Sequence, residues 1–322
     1  MARYTVVITD HDFESLDIEC DVLGDIADVI ALSNEPGNVA LNTSLLADAD
    51  AVINLRADLD AAAIDALDRC RIIARYGIGV DNVDVDAANR RGIYVTNVPD
   101  YCIEEVSTHA VALILTMVRG IPAYDRSVEA GEWDRAVRTP IHRFSTRTVG
   151  VVGFGAIGRA VGERVAALGA DVLASDPFLE PEDVADSPAD LIAFEELLER
   201  SDYVTVHSPL TDETRGMFDE AAFDQMRSEA GLVNVARGPI VDADALLSAL
   251  EQGKIAGAGL DVFPEEPPAA DDPLRSHENV VATPHVGWYS EEANDERRRT
   301  AAEAVRTALA GERPDHVVSD VE

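Results

Sequence analysis

Lysine is almost missing from this chain: Lys254 is the only one among 26 basic residues, which face 61 acidic ones for a formal net charge of −35. So large a deficit of positive charge excludes nucleic acid or an anionic membrane as partner, because neutralising phosphates takes clustered Lys and Arg. Cysteine is scarce too. Cys20, Cys70 and Cys102 are widely spaced and odd in number, which suits neither a disulfide framework nor a zinc site, so no metal is expected. No run approaches the ~18 consecutive apolar residues of a membrane span. The opening Met1-Ala-Arg-Tyr-Thr-Val-Val7 enters a strand pattern where a signal peptide would carry its apolar core. A cytoplasmic protein is the expectation.

The acids are scattered over both halves instead of gathered in a tail, so they do not mark disorder. With lysine nearly absent, the composition is similar to that of proteins from extremely halophilic cytoplasms, where molar salt cuts the Debye length to roughly 3 Å. The 322 residues, 47% hydrophobic, suffice for two globular domains with separate cores.

Strand-like and helix-like stretches alternate throughout. In the first third, Tyr4 to Thr9, Asp28 to Leu32, Ala51 to Leu55, Arg71 to Arg75 and Ile93 to Asn97 read as strands, with helices at Ala61 to Leu67 and Val85 to Arg91. Apolar residues at Val106, Ala110, Leu113, Ile114 and Met117 form one stripe of a helix from Ile103 to Arg119. Strands at Tyr203 to His207, Gly231 to Ala236, Ile255 to Val262 and Val280 to Thr283 then alternate with helices at Asp190 to Glu199, Glu220 to Met226 and Ala243 to Gln252. Ser290 caps a last helix ending at Ala310. This rhythm predicts an α/β protein of two doubly wound parallel sheets.

The most specific local signal is Thr148-Val-Gly-Val-Val-Gly-Phe-Gly-Ala-Ile-Gly-Arg159. Gly153, Gly155 and Gly158 have the G-x-G-x-x-G spacing, placed where a buried-strand run turns into a helical pattern; this is a dinucleotide fingerprint with pyrophosphate at the helix N-terminus. A second strand, Asp171 to Ser175, leads into Asp176, where an acid would hold the ribose hydroxyls. The Pro-Phe-Leu-Glu that follows has no cation for a 2′-phosphate. NAD is therefore expected over NADP.

Ligands of doubly wound sheets lie beyond the carboxyl ends of the strands. Three residues there form a reducing set: Arg237 to polarise a carbonyl and bind a carboxylate, His285 to supply the proton, and Glu266 to orient the histidine and stabilise its charged form. In the first third, the loop Arg75-Tyr-Gly-Ile-Gly79 has glycines that free the backbone for a ligand and an Arg able to meet an anion. The remaining histidines, His11, His109, His142, His207, His277 and His316, lack a comparable setting, although His207 ends a strand.

Gly153 to Gly158, Asn234-Val-Ala-Arg-Gly-Pro-Ile-Val-Asp242, Leu260-Asp-Val-Phe-Pro-Glu-Glu-Pro267 and Thr283-Pro-His-Val-Gly287 together resemble the D-isomer-specific 2-hydroxyacid dehydrogenases over nearly the whole chain. The resemblance implies Arg237, Glu266 and His285 as catalytic residues. It implies NAD contacts at Gly153, Gly155, Ala156, Ile157, Gly158, Asp176, Ser208, Val235, Ala236 and Asp261. It also implies a discontinuous, flavodoxin-like substrate domain, residues 1–101 and 290–322, around a Rossmann domain, residues 102–289. The substrate would be a small 2-oxo or 2-hydroxy acid, and pairing through the helix after the hinge near Pro99 would make a homodimer.

Within the family, Arg75-Tyr-Gly-Ile-Gly79, Pro99 to Ser107 and Pro284-His-Val-Gly-Trp-Tyr-Ser290 are similar to the C-terminal-binding-protein and phosphoglycerate-dehydrogenase-like branch. This implies Arg75, with Gly77, Ile78 and Gly79, as a second substrate anchor and Trp288 as a pocket wall. Val286-Gly287 stands where that branch tends to have two alanines. Glu266 stands where formate dehydrogenases of the fold have Gln, and no regulatory domain is expected after residue 322. Corepressor members of the branch imply an alternative, an NAD(H)-sensing interaction protein.

Overall fold

A computed structural model describes residues 3–34, 46–138 and 140–321. They form two compact units, one of Met1–Cys102 with Ser290–Glu322, the other of Ile103–Tyr289. Among the described residues, no single helix is long and apolar enough to cross a membrane.

The first unit begins β1 (Tyr4–Ile8), α1 (Asp17–Leu23), β2 (Ala27–Ala31), β3 (Ala51–Asn54), α2 (Ala61–Asp65), β4 (Ile72–Arg75), α3 (Val85–Arg91) and β5 (Tyr94–Thr96). All pairings are parallel, in the order β2-β1-β3-β4-β5. β3 and β4 are buried at every position, as expected for parallel strands covered on both faces. The helix boundaries follow local chemistry. Asp84 caps α3 by accepting from Ala87 N, and Gly92 ends it at φ 66°, a left-handed conformation that costs glycine no Cβ clash.

The second unit opens with α4 (Ile103–Arg119) and α5 (Ile121–Glu129). There follow β6 (Thr148–Val152), α6 (Ala156–Ala167), β7 (Asp171–Ser175), β8 (Ala189–Leu191), α7 (Phe194–Arg200), β9 (Tyr203–Val206), α8 (Glu220–Gln225), β10 (Gly231–Asn234), α9 (Ala243–Glu251), β11 (Gly257–Leu260), α10 (Pro273–Ser276) and β12 (Val280–Ala282). The sheet runs β12-β11-β10-β9-β6-β7-β8, parallel throughout. Its order reverses between β6 and β9, the switch point beside which doubly wound folds bind their ligands.

Two expectations change. The helix expected from Asp190 begins only at Phe194, because Ala189–Leu191 pairs with β7 as an edge strand and Ala193 is extended at ψ 153°. The apolar stripe of α4 is also covered within its own unit: Val106, Ala110, Leu113 and Ile114 are buried as the helix packs on α6, β10 and β11. That stripe consequently gives no reason for a second chain.

The polypeptide returns to the first unit as α11 (Glu291–Leu309), capped by Ser290 accepting from Ala293 N. Arg298 grips the fully buried Glu19 through Nε and Nη2 at 2.9 and 2.7 Å, while Tyr76 Oη donates to the same carboxylate at 2.9 Å. This clamp ties α11 and α1 to the loop after β4.

Candidate active site

The glycine loop is shaped by close approach. Gly153 has φ 84°, and a Cβ there would stand 2.6 Å from Ser208 N; at Gly158 one would stand 2.2 Å from Gly153 O. Gly155 differs. Its φ is −73°, which any residue adopts, and a Cβ would meet nothing within 4 Å. Gly155 is the N-cap of α6, with no side-chain cap, so the first amides of the helix, including those of Ala156 and Ile157, have no intrahelical partner and meet an anion favourably.

After β7, Asp176 accepts from Phe154 N through Oδ2 at 2.9 Å and from Phe178 N through Oδ1 at 3.0 Å. A carboxylate has about four acceptor sites, so it holds the glycine loop and retains capacity for sugar hydroxyls. The open space over Gly155, the uncapped helix start and this acid fit a dinucleotide. After β9 stand His207 and Ser208. Burial pushes the His207 imidazole down to about 3, and its Nε2 lies 2.9 Å from Thr205 Oγ1.

Beyond β10, the Asn234 side chain brackets a turn: Oδ1 accepts from Ala236 N at 3.1 Å and Nδ2 donates to Arg237 O at 2.9 Å. Val235 and Ala236 form that turn. Arg237 is half-buried and its Nη1 donates to Ala236 O at 2.8 Å. The next residue, Gly238, touches the turn after β11 so closely that a Cβ would lie 2.0 Å from Phe263 C. That contact sets the turn bearing Arg237 against the turn leading to Glu266.

Glu266 accepts from Phe263 N through Oε1 at 3.1 Å, and its Oε2 lies 2.5 Å from His285 Nδ1. His285 has φ 52°, the left-handed region that is uncommon for a residue with a side chain. Its amide donates to Asp261 O at 2.8 Å and Thr283 O at 3.0 Å, and its carbonyl accepts from Trp288 Nε1 at 3.0 Å. Trp288 thus braces the backbone of the histidine. Two of the three expected catalytic side chains are in direct contact, and the third stands on the adjoining turn.

Asp261 is buried, with Oδ1 accepting from Thr283 Oγ1 at 2.6 Å and Val286 N at 2.9 Å, and Oδ2 from Gly287 N at 2.8 Å. Burial pushes its carboxyl up, but hydrogen bonds from His109, Thr283, Val286 and Gly287 outweigh it and hold the group below the ordinary carboxylate range. The sequence does not disclose this place for His109. A histidine on an amphipathic helix carries no local sign that the fold sets it against a loop 174 residues away.

In the first unit, Arg75 is buried and donates through Nε to Gly79 O at 2.9 Å and through Nη1 to Asn54 Oδ1 at 2.8 Å, as well as to Asn54 O and Leu55 O. It ties together the loops after β3 and β4. Gly77 faces open space, where a Cβ would meet nothing within 4 Å; Ile78 is half-buried, and its carbonyl accepts from Asn97 Nδ2 at 2.7 Å. Arg56 likewise carries no local sign in the sequence. Fully buried Asp10 accepts from the amides of Leu55, Arg56 and Ala57, presenting Arg56 exposed at the end of β3 with no ion pair for its guanidinium among the described residues.

Comparison with known proteins identifies the family of the chain. Residues 111–287 match the D-isomer specific 2-hydroxyacid dehydrogenase, NAD binding domain. The D-3-phosphoglycerate dehydrogenase of Mycobacterium bovis is 44% identical over 254 residues, 79% of this chain and 48% of that protein. The glyoxylate reductase of Korarchaeum cryptofilum is 40% identical over 276 residues, 84% of this chain and 83% of that one. The crystal structure of D-lactate dehydrogenase from Aquifex aeolicus with NAD and lactic acid superposes with a TM-score of 0.87 at 28% identity, covering 95% of this chain and 96% of that one. The chain spans about half the length of the mycobacterial relatives that it matches. Ile103–Tyr289 carries the NAD-binding fold, and the chain belongs to the D-isomer specific 2-hydroxyacid dehydrogenase family, on its phosphoglycerate-dehydrogenase-like side.

Proposed function

We propose that the chain interconverts a D-2-hydroxy acid and its 2-oxo acid, with His285 as general acid and base. The observation that carries this is the 2.5 Å contact of His285 Nδ1 with Glu266 Oε2 at the strand-end rim of an NAD domain. With Nδ1 donating to the carboxylate, Nε2 is the nitrogen that exchanges a proton with substrate. Bound NADH supplies the hydride for reduction. His285 gives its Nε2 proton to the carbonyl oxygen as that oxygen gains charge; in oxidation the neutral ring takes the hydroxyl proton back. Glu266 holds the reactive tautomer and stabilises the imidazolium. Arg237 pairs with the substrate carboxylate and polarises the carbonyl.

The dinucleotide would be held by Gly153, Gly155, Ala156, Ile157 and Gly158 at its phosphates, by Asp176 at its ribose, and by Ser208, Val235, Ala236 and Asp261 along the rim. For the acid, Arg75, Gly77, Ile78, Gly79 and Trp288 are the proposed anchors, with exposed Arg56 suited to a second anionic group. A homodimer is proposed because Ile121, Val128, Trp133 and Val137 are exposed along one segment, Trp133 by 93%, and apolar side chains gathered in an exposed patch suit an interaction surface. The working medium proposed is a cytoplasm of high salt.

The deciding assay follows NADH oxidation in molar salt with glyoxylate, hydroxypyruvate, 3-phosphohydroxypyruvate and 4-methylthio-2-oxobutyrate. Turnover of at least one supports the dehydrogenase. NADH binding without turnover of any 2-oxo acid would favour the NAD(H)-sensing alternative.

A further inference from the structure

Behind the loop carrying His285 lies a second histidine and carboxylate, joined by a hydroxyl. His109, on α4, brings Nε2 to 3.0 Å from Thr283 Oγ1 and to 3.4 Å from Asp261 Oδ1. Thr283 Oγ1 in turn lies 2.6 Å from Asp261 Oδ1. A hydroxyl has one proton, and the carboxylate at 2.6 Å takes it; the threonine oxygen is left to accept, so His109 Nε2 must be the donor. The relay runs from His109 through Thr283 to Asp261.

Asp261 also accepts from the same loop, through Val286 N and Gly287 N, and its own carbonyl takes the amide of His285. His285 is therefore flanked on both sides by bonds that converge on one buried acid. A left-handed non-glycine residue persists where its surroundings over-determine it, and these bonds do so. Gly287 is part of the arrangement: a Cβ there would press to 2.9 Å from Asp261 Oδ2 and 3.2 Å from His109 Cδ2. A glycine lets the loop close on both groups.

We propose that His109 is a positioning residue for the reaction proposed above, fixing through Thr283 and Asp261 the backbone that aims the His285 imidazole. It touches neither substrate nor the reacting atoms in this assignment. A misplacement of about 1 Å in a reacting group can cost on the order of 10²-fold in rate, so a helix residue well behind the imidazole can govern turnover.

The test compares His109→Leu, which removes the donor, with His109→Gln, which keeps an N–H able to reach Thr283. Both are assayed in molar salt for kcat, NADH affinity and melting midpoint. The expected result for His109→Leu is a kcat lower by about 10–10²-fold with the melting midpoint and NADH affinity kept, and for His109→Gln substantial recovery of kcat. A filler role in the core would lower the midpoint instead and would not be rescued by the amide. Normal kcat in His109→Leu, or a His109→Gln as slow as His109→Leu, overturns the proposal. Should His109→Leu fail to fold, His109→Gln and Thr283→Val are compared singly and together; kcat losses that do not add mark one relay and support the proposal, whereas additive losses overturn it. The dehydrogenase reading is tested separately by His285→Ala. If that variant keeps turnover the reading itself fails, whereas loss there beside normal His109 variants removes only the positioning role.

Discussion

His285 Nδ1 and Glu266 Oε2 stand 2.5 Å apart although they come from different strand ends, 19 residues apart in the chain. Each is held independently of the other: Glu266 by Phe263 N, His285 by Asp261 O, Thr283 O and Trp288 Nε1. The pair is therefore preorganised, and substrate need not assemble it.

It follows that His285→Ala should lower turnover in both directions by about 10²–10⁴-fold, the usual loss for a general acid. Glu266→Gln keeps the shape but removes the charge that stabilises the imidazolium, so reduction should slow markedly while NADH affinity stays close to the parent's. Steady-state rates beside NADH fluorescence titrations check both. A Glu266→Gln variant with parental kcat would remove the carboxylate from the mechanism.

The glycine loop separates folding from binding. Gly158→Ala forces a Cβ to within 2.2 Å of Gly153 O, and such overpacking costs roughly 1–3 kcal/mol, so its melting midpoint should drop. Gly155→Ala meets nothing and should melt like the parent, yet its methyl occupies the space where pyrophosphate must approach backbone. NADH affinity should then weaken by about tenfold or more, since each ~1.4 kcal/mol lost is a factor of ten. Parental affinity in Gly155→Ala would place the phosphates elsewhere.

These features differ in how far the sequence discloses them. The strand, glycine loop and helix at Thr148 to Ala167 are legible because local spacing and tertiary role coincide there. Arg237, Glu266 and His285 are legible through a topological rule about strand ends. β8 was hidden because Leu191, Ile192, Phe194, Leu197 and Leu198 read as one helical stripe, and only pairing with β7 separates its start from the helix. Arg56 and His109 were hidden for a different reason. Their meaning comes from partners distant in sequence, Asp10 for one and Thr283 with Asp261 for the other, and no local pattern encodes those.

His207 makes stability depend on pH. Its folded imidazole is pushed down to about 3 by burial, whereas a histidine in an unfolded chain titrates near ~6.5. Between those values the unfolded chain binds a proton that the native one does not, so the linkage slope is positive. Stability present above about pH 6.5 is lost progressively as pH falls toward about 3. His207→Gln lacks this contribution, and its melting midpoint should fall less than the parent's between neutral and moderately acidic buffer. Equal falls in the two proteins would mean that the ring titrates freely in the fold.

Salt should act on the surface charge and spare the buried pair. The net charge of −35 repels itself over a Debye length of about 10 Å at 0.1 M salt and about 3 Å at 1 M. The single lysine, Lys254, is already paired with Asp224 at 2.6 Å and offers no general remedy. Far-UV circular dichroism should therefore be lost on dialysis to low salt, and the melting midpoint should climb with sodium chloride. Glu19, fully buried against Arg298, lies outside this screening. Removing one partner of a buried pair costs roughly 3–5 kcal/mol, so Glu19→Gln should lower the midpoint by a similar amount at every salt concentration where the protein folds. A parent whose circular dichroism survives low salt unchanged would sink the high-salt assignment, and a Glu19→Gln defect that vanished in molar salt would show that water and ions reach the clamp between α1 and α11.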